Sequence, residues 1–233
     1  MKSHDTNPVR AFGDIEHNVA SVRARIARAA ARAGRRPRDI TLIAVSKTQP
    51  AAAVIAAYAA GVRDFGENRV QEAGAKVVAV RAGGIEPRWH MIGHLQRNKV
   101  PAALDRFDIL HSVDSEELAR AIDVRARRRV PVLIEVNVAG EESKHGVPPA
   151  AVPALARLVG GLPNIDLLGL MTVAPQADDP EDVRPVFREL RKLRDAIGLR
   201  ELSMGMTDDF EVAVEEGSTF VRVGRAIFGP RVG

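Results

Sequence analysis

Apolar residues along this chain follow a helical spacing first and then an alternation of short runs and helical stretches. Between positions 14 and 33 they recur every three to four residues, with arginines between them and Gly34 directly after. This pattern predicts an amphipathic helix that ends at the glycine. Its apolar face is formed by Ile15, Val19, Val22, Ile26 and Ala30.

Eight apolar runs follow this helix, and most of them are separated by stretches with helical spacing. They predict strands at 40–46, 62–65, 88–92, 108–112, 130–138, 165–173, 201–204 and 219–223. Strands that alternate with helices are typical of parallel βαβ units. Eight such units predict the fold class α/β, as a single (β/α)8 TIM barrel that takes in residues 1–233 as one domain with an extra N-terminal helix. An open doubly wound sheet is the alternative, but no Gly-x-Gly-x-x-Gly turn follows the first strand.

Composition narrows the classes of function. The 233 residues are 45% hydrophobic, enough for one large core, and contain no cysteine for a disulfide or a thiolate site. The N-terminus lacks the apolar segment of a secretory signal, and no apolar run approaches the ~20 residues that span a bilayer, so we expect a soluble, cytoplasmic protein. The net charge is +4, but 34 basic and 30 acidic residues are interspersed and only 4% are aromatic, which disfavours a nucleic-acid-binding module.

Lys47 follows the first predicted strand and is the first candidate for chemistry. The run 40–46 before it is short, apolar and rich in β-branched residues, as in a strand buried on both faces. A lysine at the inner end of such a strand is partly desolvated, which lowers the pKa of its amine and favours the neutral nucleophile. The neutral amine condenses with aldehydes to form a Schiff base. Taken alone, Lys47 also fits a solvated residue at a strand end.

The loops after the seventh and eighth predicted strands have the composition of a phosphate site. Barrels often bind phosphate at these two positions. The first loop, 203–209, contains two hydroxyl side chains and Gly205; the second begins with Gly224 and Arg225 and leads into a short helix. A lysine that captures aldehydes, combined with a phosphate site, matches pyridoxal 5′-phosphate (PLP), which supplies both groups.

Seven segments together resemble the pyridoxal phosphate homeostasis protein family, a single-barrel relative of the N-terminal domain of alanine racemase. They run from the first strand to the last in the order of that family: Ala44–Thr48, Phe65–Glu72, Trp89–Lys99, His111–Asp114, Gly169–Thr172, Leu202–Met206 and Val221–Gly229, in which Arg225 departs from the family pattern.

The resemblance implies a cofactor site for PLP in a barrel of the fold-type III kind. Lys47 would carry the Schiff base, Asn68 would lie beside the cofactor, and Arg222 would face the pyridine nitrogen. Ser203 and the backbone around Gly205, Gly224 and Arg225 would hold the phosphate. Lys144 resembles a further family lysine implicated in handling or releasing the cofactor, although a solvated loop lysine fits it nearly as well.

Three positions differ from patterns seen in relatives. Arg225 stands where a small hydroxyl residue is common, so a charge replaces a neutral phosphate contact. Thr207 replaces a serine and keeps the hydroxyl. Gln49 replaces a second lysine of some members, so any role of that lysine in passing on the cofactor is not expected here.

The sequence favours a carrier over an enzyme. An arginine opposite the pyridine nitrogen disfavours its protonation, which weakens the ring as an electron sink. Racemases with this barrel add a second domain whose tyrosine acts on the opposite face, whereas here the chain ends four residues after Gly229 and the lone tyrosine, Tyr58, lies in a predicted barrel helix. We therefore expect a PLP-binding homeostasis protein without catalytic residues, which limits free PLP and delivers it to apo-enzymes.

Other functions remain as alternatives. A PLP-dependent racemase would exchange the α-proton of amino acids, and a cofactor-free aldolase would use Lys47 on a phosphorylated sugar. No metal site is predicted, because His90 and His94 straddle a strand end and a loop. The resemblance favours a monomer with no nucleic-acid or membrane partner.

Overall fold

In the computed structural model, eight parallel strands close into one barrel in chain order, with the first strand paired to the last. The structure describes residues 8–141 and 144–230, with side chains from residue 14 onward. The expectations for residues 1–7, 142–143 and 231–233 lie outside the described residues. The strands are β1 (Thr41–Val45), β2 (Asp64–Glu67), β3 (Arg88–Met91), β4 (Ile109–Val113), β5 (Val130–Glu135), β6 (Ile165–Met171), β7 (Glu201–Ser203) and β8 (Phe220–Val223).

A helix follows each strand, and one further helix precedes the barrel, so the predicted fold is confirmed. The helices are α1 (Pro8–Arg32), α2 (Ala51–Ala59), α3 (Val70–Ala82), α4 (Val100–Leu104), α5 (Glu116–Arg125), α6 (Val152–Gly160), α7 (Arg184–Ala196), α8 (Phe210–Glu215) and α9 (Arg225–Phe228). Helix α1 begins six residues before its predicted start. It packs its buried apolar face against α2, α8 and α9, where the first and last units of the barrel meet.

The side chains of the strands form two layers. Those that point outward, such as Ala44, Leu110 and Ile134, pack against the helices in the main core. Those that point inward form a small apolar cluster, which consists of Ile43, Ile109, Leu133, Met171 and Phe220. Alternation along each strand therefore decides which residues line the barrel interior.

Several strand boundaries differ from the predicted ones. The second strand lies at Asp64–Glu67 rather than 62–65, because Glu67 turns outward and is buried with polar partners, which an apolar pattern does not detect. Strands β5 and β6 end at Glu135 and Met171, two or three residues earlier than predicted, where the chain turns into loops. Strand β1 ends at Val45, so Lys47 lies two residues beyond it.

None of the described helices combines the length and apolarity that a membrane crossing requires.

Candidate functional site

Lys47 lies at the C-terminal edge of the barrel, where β1 runs into its loop. Continuing the alternation of Ile43 and Val45 places the Lys47 side chain on the inner side of the strand. The residue is half-buried. Thr48, directly after it, has a φ of 64°, so the chain turns away through the left-handed region immediately after the lysine.

A buried ion pair supports the backbone just before Lys47. The Nζ of Lys76 on α3 donates to Glu67 Oε1 at 2.6 Å and to the Ser46 carbonyl at 2.5 Å. The hydroxyl of Ser46 donates to the same Glu67 oxygen at 2.6 Å. Glu67 is fully buried, and the Lys76 side chain is 9% exposed. These bonds tie β1, β2 and α3 together and fix the chain at the residue that precedes Lys47.

Arg222 projects from β8 into the same end of the barrel interior and is almost fully buried. Its guanidinium donates to Ser203 Oγ and to the Thr172 carbonyl, both at 2.7 Å. Burial lowers the pKa of Arg222 to about 10, against the opposing effect of negative charge on Asp209 and Glu135. Arg222 is therefore still a cation at neutral pH, and its two hydrogen bonds go to uncharged acceptors.

A line of hydrogen bonds continues from Ser203 across the barrel. His111 Nδ1 lies 2.9 Å from Ser203 Oγ, and His111 Nε2 lies 2.9 Å from His90 Nδ1. His90 Nε2 lies 2.9 Å from a carboxylate oxygen of Asp64. Ser203 and both imidazoles are fully buried.

When both imidazoles are neutral, these contacts fix which atom donates and which atom accepts in each hydrogen bond. An ionised Asp64 accepts only, so His90 Nε2 carries the hydrogen and its Nδ1 accepts from His111 Nε2. His111 Nδ1 then accepts from the Ser203 hydroxyl, whose oxygen accepts from Arg222. Burial, with smaller contributions from the neighbouring His90 and the cation of Arg222, holds the pKa of His111 well below its usual value, in keeping with the neutral form.

Asp64 is the acceptor at the far end of this line. Burial acts to raise the pKa of Asp64, but bonds from His90 and Arg88 outweigh it, so its pKa lies below the usual value. The carboxylate is thus ionised at neutral pH, as the directed line of donors requires.

Glu135 at the end of β5 is a site residue that the sequence pattern did not single out. It is 8% exposed, and its Oε2 has no hydrogen-bond partner among the described residues. Burial and the nearby charge of Asp114 raise the pKa of Glu135 to about 7, while Arg222 opposes the shift. A carboxyl group that is half ionised near neutral pH therefore faces the barrel interior. A glutamate within an otherwise apolar strand was the available signal.

A hydrogen bond to the carboxylate of Asp209 holds the loop after β7 in place. The buried Asp209 accepts from the Met206 amide at 2.5 Å, and burial raises its pKa. Gly205 has a φ of 93°, and a Cβ there would lie 2.5 Å from Ala213 Cβ. Packing against α8 and the backbone conformation therefore explain this glycine.

The loop after β8 comes close to the strand that leads to Lys47. A Cβ added to Gly224 would lie 3.4 Å from the Val45 carbonyl, an ordinary contact distance. No hydrogen bond joins the Gly224 or Arg225 amide to another described residue. The Arg225 side chain is exposed and pairs with Asp208.

Asn68 and Lys144 lie farther around the rim. The backbone of Asn68 touches Gly93, where a Cβ would lie 2.3 Å from the Asn68 carbonyl. Lys144 pairs with Glu141 at 2.7 Å and donates to the Ala174 carbonyl at 3.1 Å, so it bridges the loops after β5 and β6.

The structure thus brings Arg222, Ser203 and Gly224 together around the end of β1 that carries Lys47. Asn68 and Lys144 occupy other loops of the same edge. The roles predicted for these residues stay predictions.

The fold and the site define a (β/α)8 barrel with a lysine at the end of β1 and an arginine on β8. The sequence model of the alanine racemase N-terminal domain matches residues 15–232. A protein of Aquifex aeolicus (strain VF5) named pyridoxal phosphate homeostasis protein is 45% identical over 222 residues, which cover 91% of this chain and 96% of the relative. This chain therefore belongs to the pyridoxal phosphate homeostasis protein family.

Solved structures agree with this assignment. PipY of Synechococcus elongatus PCC7942, solved with PLP bound, is 37% identical, with a TM-score of 0.82 and coverage of 92% of this chain and 100% of PipY. The alanine racemase of Corynebacterium glutamicum shares the fold, at 20% identity and a TM-score of 0.72; the match covers 95% of this chain but 62% of the racemase.

Proposed function

We propose that this protein binds PLP reversibly through a Schiff base on Lys47 and serves PLP homeostasis. The observation that carries the proposal is the pairing of β8 with β1, because Arg222 and Lys47 then lie at the same C-terminal edge of the barrel. The PLP bound to PipY, a relative that covers nearly the whole chain, supports the same choice of ligand. When bound, PLP supplies an aldehyde that a lysine captures and a ring that can accept electrons.

Arg222 would bind the pyridine nitrogen of the cofactor. Its guanidinium uses two N–H groups on Ser203 and Thr172, and a planar guanidinium has five donors in total. A donor that is cationic at neutral pH, beside the ring nitrogen, opposes its protonation. The line from Ser203 to Asp64 holds the guanidinium in one orientation, so we assign Ser203 to positioning Arg222 in place of the phosphate contact that the family resemblance implies.

The phosphate would lie between the loops after β7 and β8. The hydroxyl of Thr207 and the amides of Gly224 and Arg225 are the donors we assign to it. The Met206 amide is already used by Asp209, and the Ser203 hydroxyl by the interior line. Arg225 would contribute its backbone, since its side chain pairs with Asp208.

Two features support a carrier rather than an enzyme. An unprotonated pyridine ring stabilises a carbanion weakly, which opposes racemisation and related reactions. The one tyrosine of the sequence, Tyr58, lies on α2, where Arg63 covers its ring at 4.1 Å, so it is not a proton donor at the mouth. Delivery of PLP to apo-enzymes, a monomeric state and a cytoplasmic location remain predictions.

The test is the visible spectrum of the purified protein with saturating PLP, before and after borohydride. We expect an absorbance band that reduction abolishes and that Lys47→Ala lacks. Lys99→Ala, a lysine in another loop of the same edge, is the matched control and should keep the band. Mass spectrometry of the reduced protein should place the cofactor on the peptide that contains Lys47.

The alternatives give different results in the same experiment. Exchange of the α-proton of added amino acids in deuterated water would favour a racemase. Absence of a band in the wild type would overturn the PLP proposal, and trapping by borohydride only in the presence of a phosphorylated sugar would favour the aldolase.

A further inference from the structure

Three side chains with metal-binding chemistry meet at the rim of the barrel, on the loops after three consecutive strands. They are His94 after β3, Asp114 directly after β4 and His145 after β5. One ligand atom from each lies within 4.8 Å of the other two. None of these residues has a role in the site proposed for PLP.

We infer that His94, Asp114 and His145 form a binding site for a divalent transition-metal ion such as Zn²⁺. Two imidazoles and one carboxylate are ligands that suit Zn²⁺, Cu²⁺ and Ni²⁺, whereas Mg²⁺ and Ca²⁺ prefer oxygen ligands alone. The inference does not depend on PLP binding.

The distances are close to those of a metal site. His94 Nδ1 lies 3.2 Å from Asp114 Oδ2. Two ligands of a tetrahedral zinc ion, each about 2.0–2.1 Å from the metal, are about 3.3 Å apart. The His94 and Asp114 atoms therefore already have the separation that one ion would impose.

A hydrogen bond from Ser115 orients the Asp114 carboxylate as a metal ligand. The Ser115 hydroxyl donates to Asp114 Oδ1 at 3.1 Å, which leaves Oδ2 directed at His94. Hydrogen bonds to the outer oxygen of a carboxylate ligand are typical of metal sites because they fix its orientation. The Asp114 side chain is 17% exposed.

His145 has to turn to complete the site. Its ring stacks on that of His94 with centroids 3.9 Å apart and planes at 12°. A ring nitrogen binds a metal ion that lies in the plane of its own ring, and two stacked parallel rings share no plane. His145 must therefore rotate about its side-chain bonds to coordinate the same ion as His94. His145 is exposed, and water has access to the remaining coordination positions. Metal binding would therefore fasten the loop of His145 to the loops after β3 and β4.

The test is equilibrium dialysis against Zn²⁺ of protein that carries no polyhistidine tag, after removal of metals and PLP. We expect one Zn²⁺ per chain for the wild type and a loss of affinity of about tenfold or more for His94→Ala and for His145→Ala. His17→Ala is the matched control, because His17 is exposed on α1, which packs on the other side of the barrel wall against α2, α8 and α9. It should bind Zn²⁺ as the wild type does.

A second measurement separates coordination from loss of folding. Cobalt bound to the wild type should give visible bands that His145→Ala changes, while circular dichroism and the melting temperature of that variant stay unaltered. The inference is wrong if the wild type retains no Zn²⁺, or if both histidine variants retain as much as the wild type.

Discussion

Ser203 and Arg222 are joined by a 2.7 Å hydrogen bond inside the barrel, between side chains on the neighbouring strands β7 and β8. The serine oxygen accepts from the guanidinium, while its hydroxyl hydrogen is directed at His111. One small hydroxyl group therefore connects the cation at the mouth to the line that ends on Asp64. Removing it separates the two parts of the network.

The Ser203→Ala variant should lose stability because it leaves a buried N–H of Arg222 without its acceptor and the buried His111 Nδ1 without its donor. We expect a decrease of about 1–3 kcal/mol in the free energy of unfolding, measured with urea. Ser112→Ala is the matched control: Ser112 is equally buried, but its hydroxyl has no partner among the described residues. The control should change stability by much less, and equal losses in both variants would contradict the network.

Glu135 should make stability depend on pH. Its pKa in the folded protein, about 7, lies above the usual carboxyl value, so the folded state holds the proton longer than the unfolded state does. The contribution of Glu135 to stability is therefore fully present below about pH 4, falls as the pH rises toward 7, and is constant above it.

The Glu135→Gln variant tests this pH dependence, because glutamine keeps the shape and cannot ionise. Near pH 8 it should be more stable than the wild type by up to about 3 kcal/mol, and this difference should shrink at pH 5. Urea unfolding at both pH values measures it. Glu86→Gln, at an exposed loop position, is the control and should show no such trend. A constant difference at the two pH values would refute the assignment.

Lys76 should stabilise the folded protein because its ammonium neutralises the buried carboxylate of Glu67. Lys76→Met leaves Glu67 buried without a cation, and breaking such a pair costs about 3–5 kcal/mol. The loss should also loosen the chain at Ser46, next to the lysine that we propose as the PLP attachment site, and so weaken PLP binding. Lys192→Met breaks an exposed pair with Glu189 and should cost less than about 1 kcal/mol. Similar losses would show that the Lys76 pair is not effectively buried.

Gly93 should tolerate no side chain. A Cβ at this position would lie 2.3 Å from the carbonyl oxygen of Asn68, so Gly93→Ala must displace the loop after β2. We expect a lower melting temperature and weaker PLP binding. Gly160→Ala, at a helical glycine whose Cβ would meet nothing within 4 Å, should leave the melting temperature unchanged or raise it. A neutral Gly93→Ala would mean that this loop moves freely.

The order of strands and helices could be predicted from apolar spacing, because burial on both faces gives strands of a barrel a distinctive composition. Lys47 was recognisable because a charged residue stands out next to an apolar run, whereas the role of Arg222 followed only from the family resemblance. The interior line of hydrogen bonds could not be predicted, since Asp64, His90, His111 and Ser203 lie on four different strands. Their alignment depends on the register between those strands, and apolar spacing does not encode register. The same holds for His94, Asp114 and His145, because they lie on three different loops and their side chains come together only in the folded barrel.

The closure of the barrel through β1 and β8 has a consequence for folding. The pairing of Ile43 with Arg222 joins residues from opposite ends of the chain, and α1 adds further contacts to α8 and α9. Contacts between such distant residues form slowly and require nearly the whole chain. During synthesis on the ribosome, β1 and Lys47 emerge long before Arg222, so β1 lacks its second neighbouring strand, β8, until the last unit has docked. The ability to hold PLP at a fixed orientation should therefore be acquired in one late step.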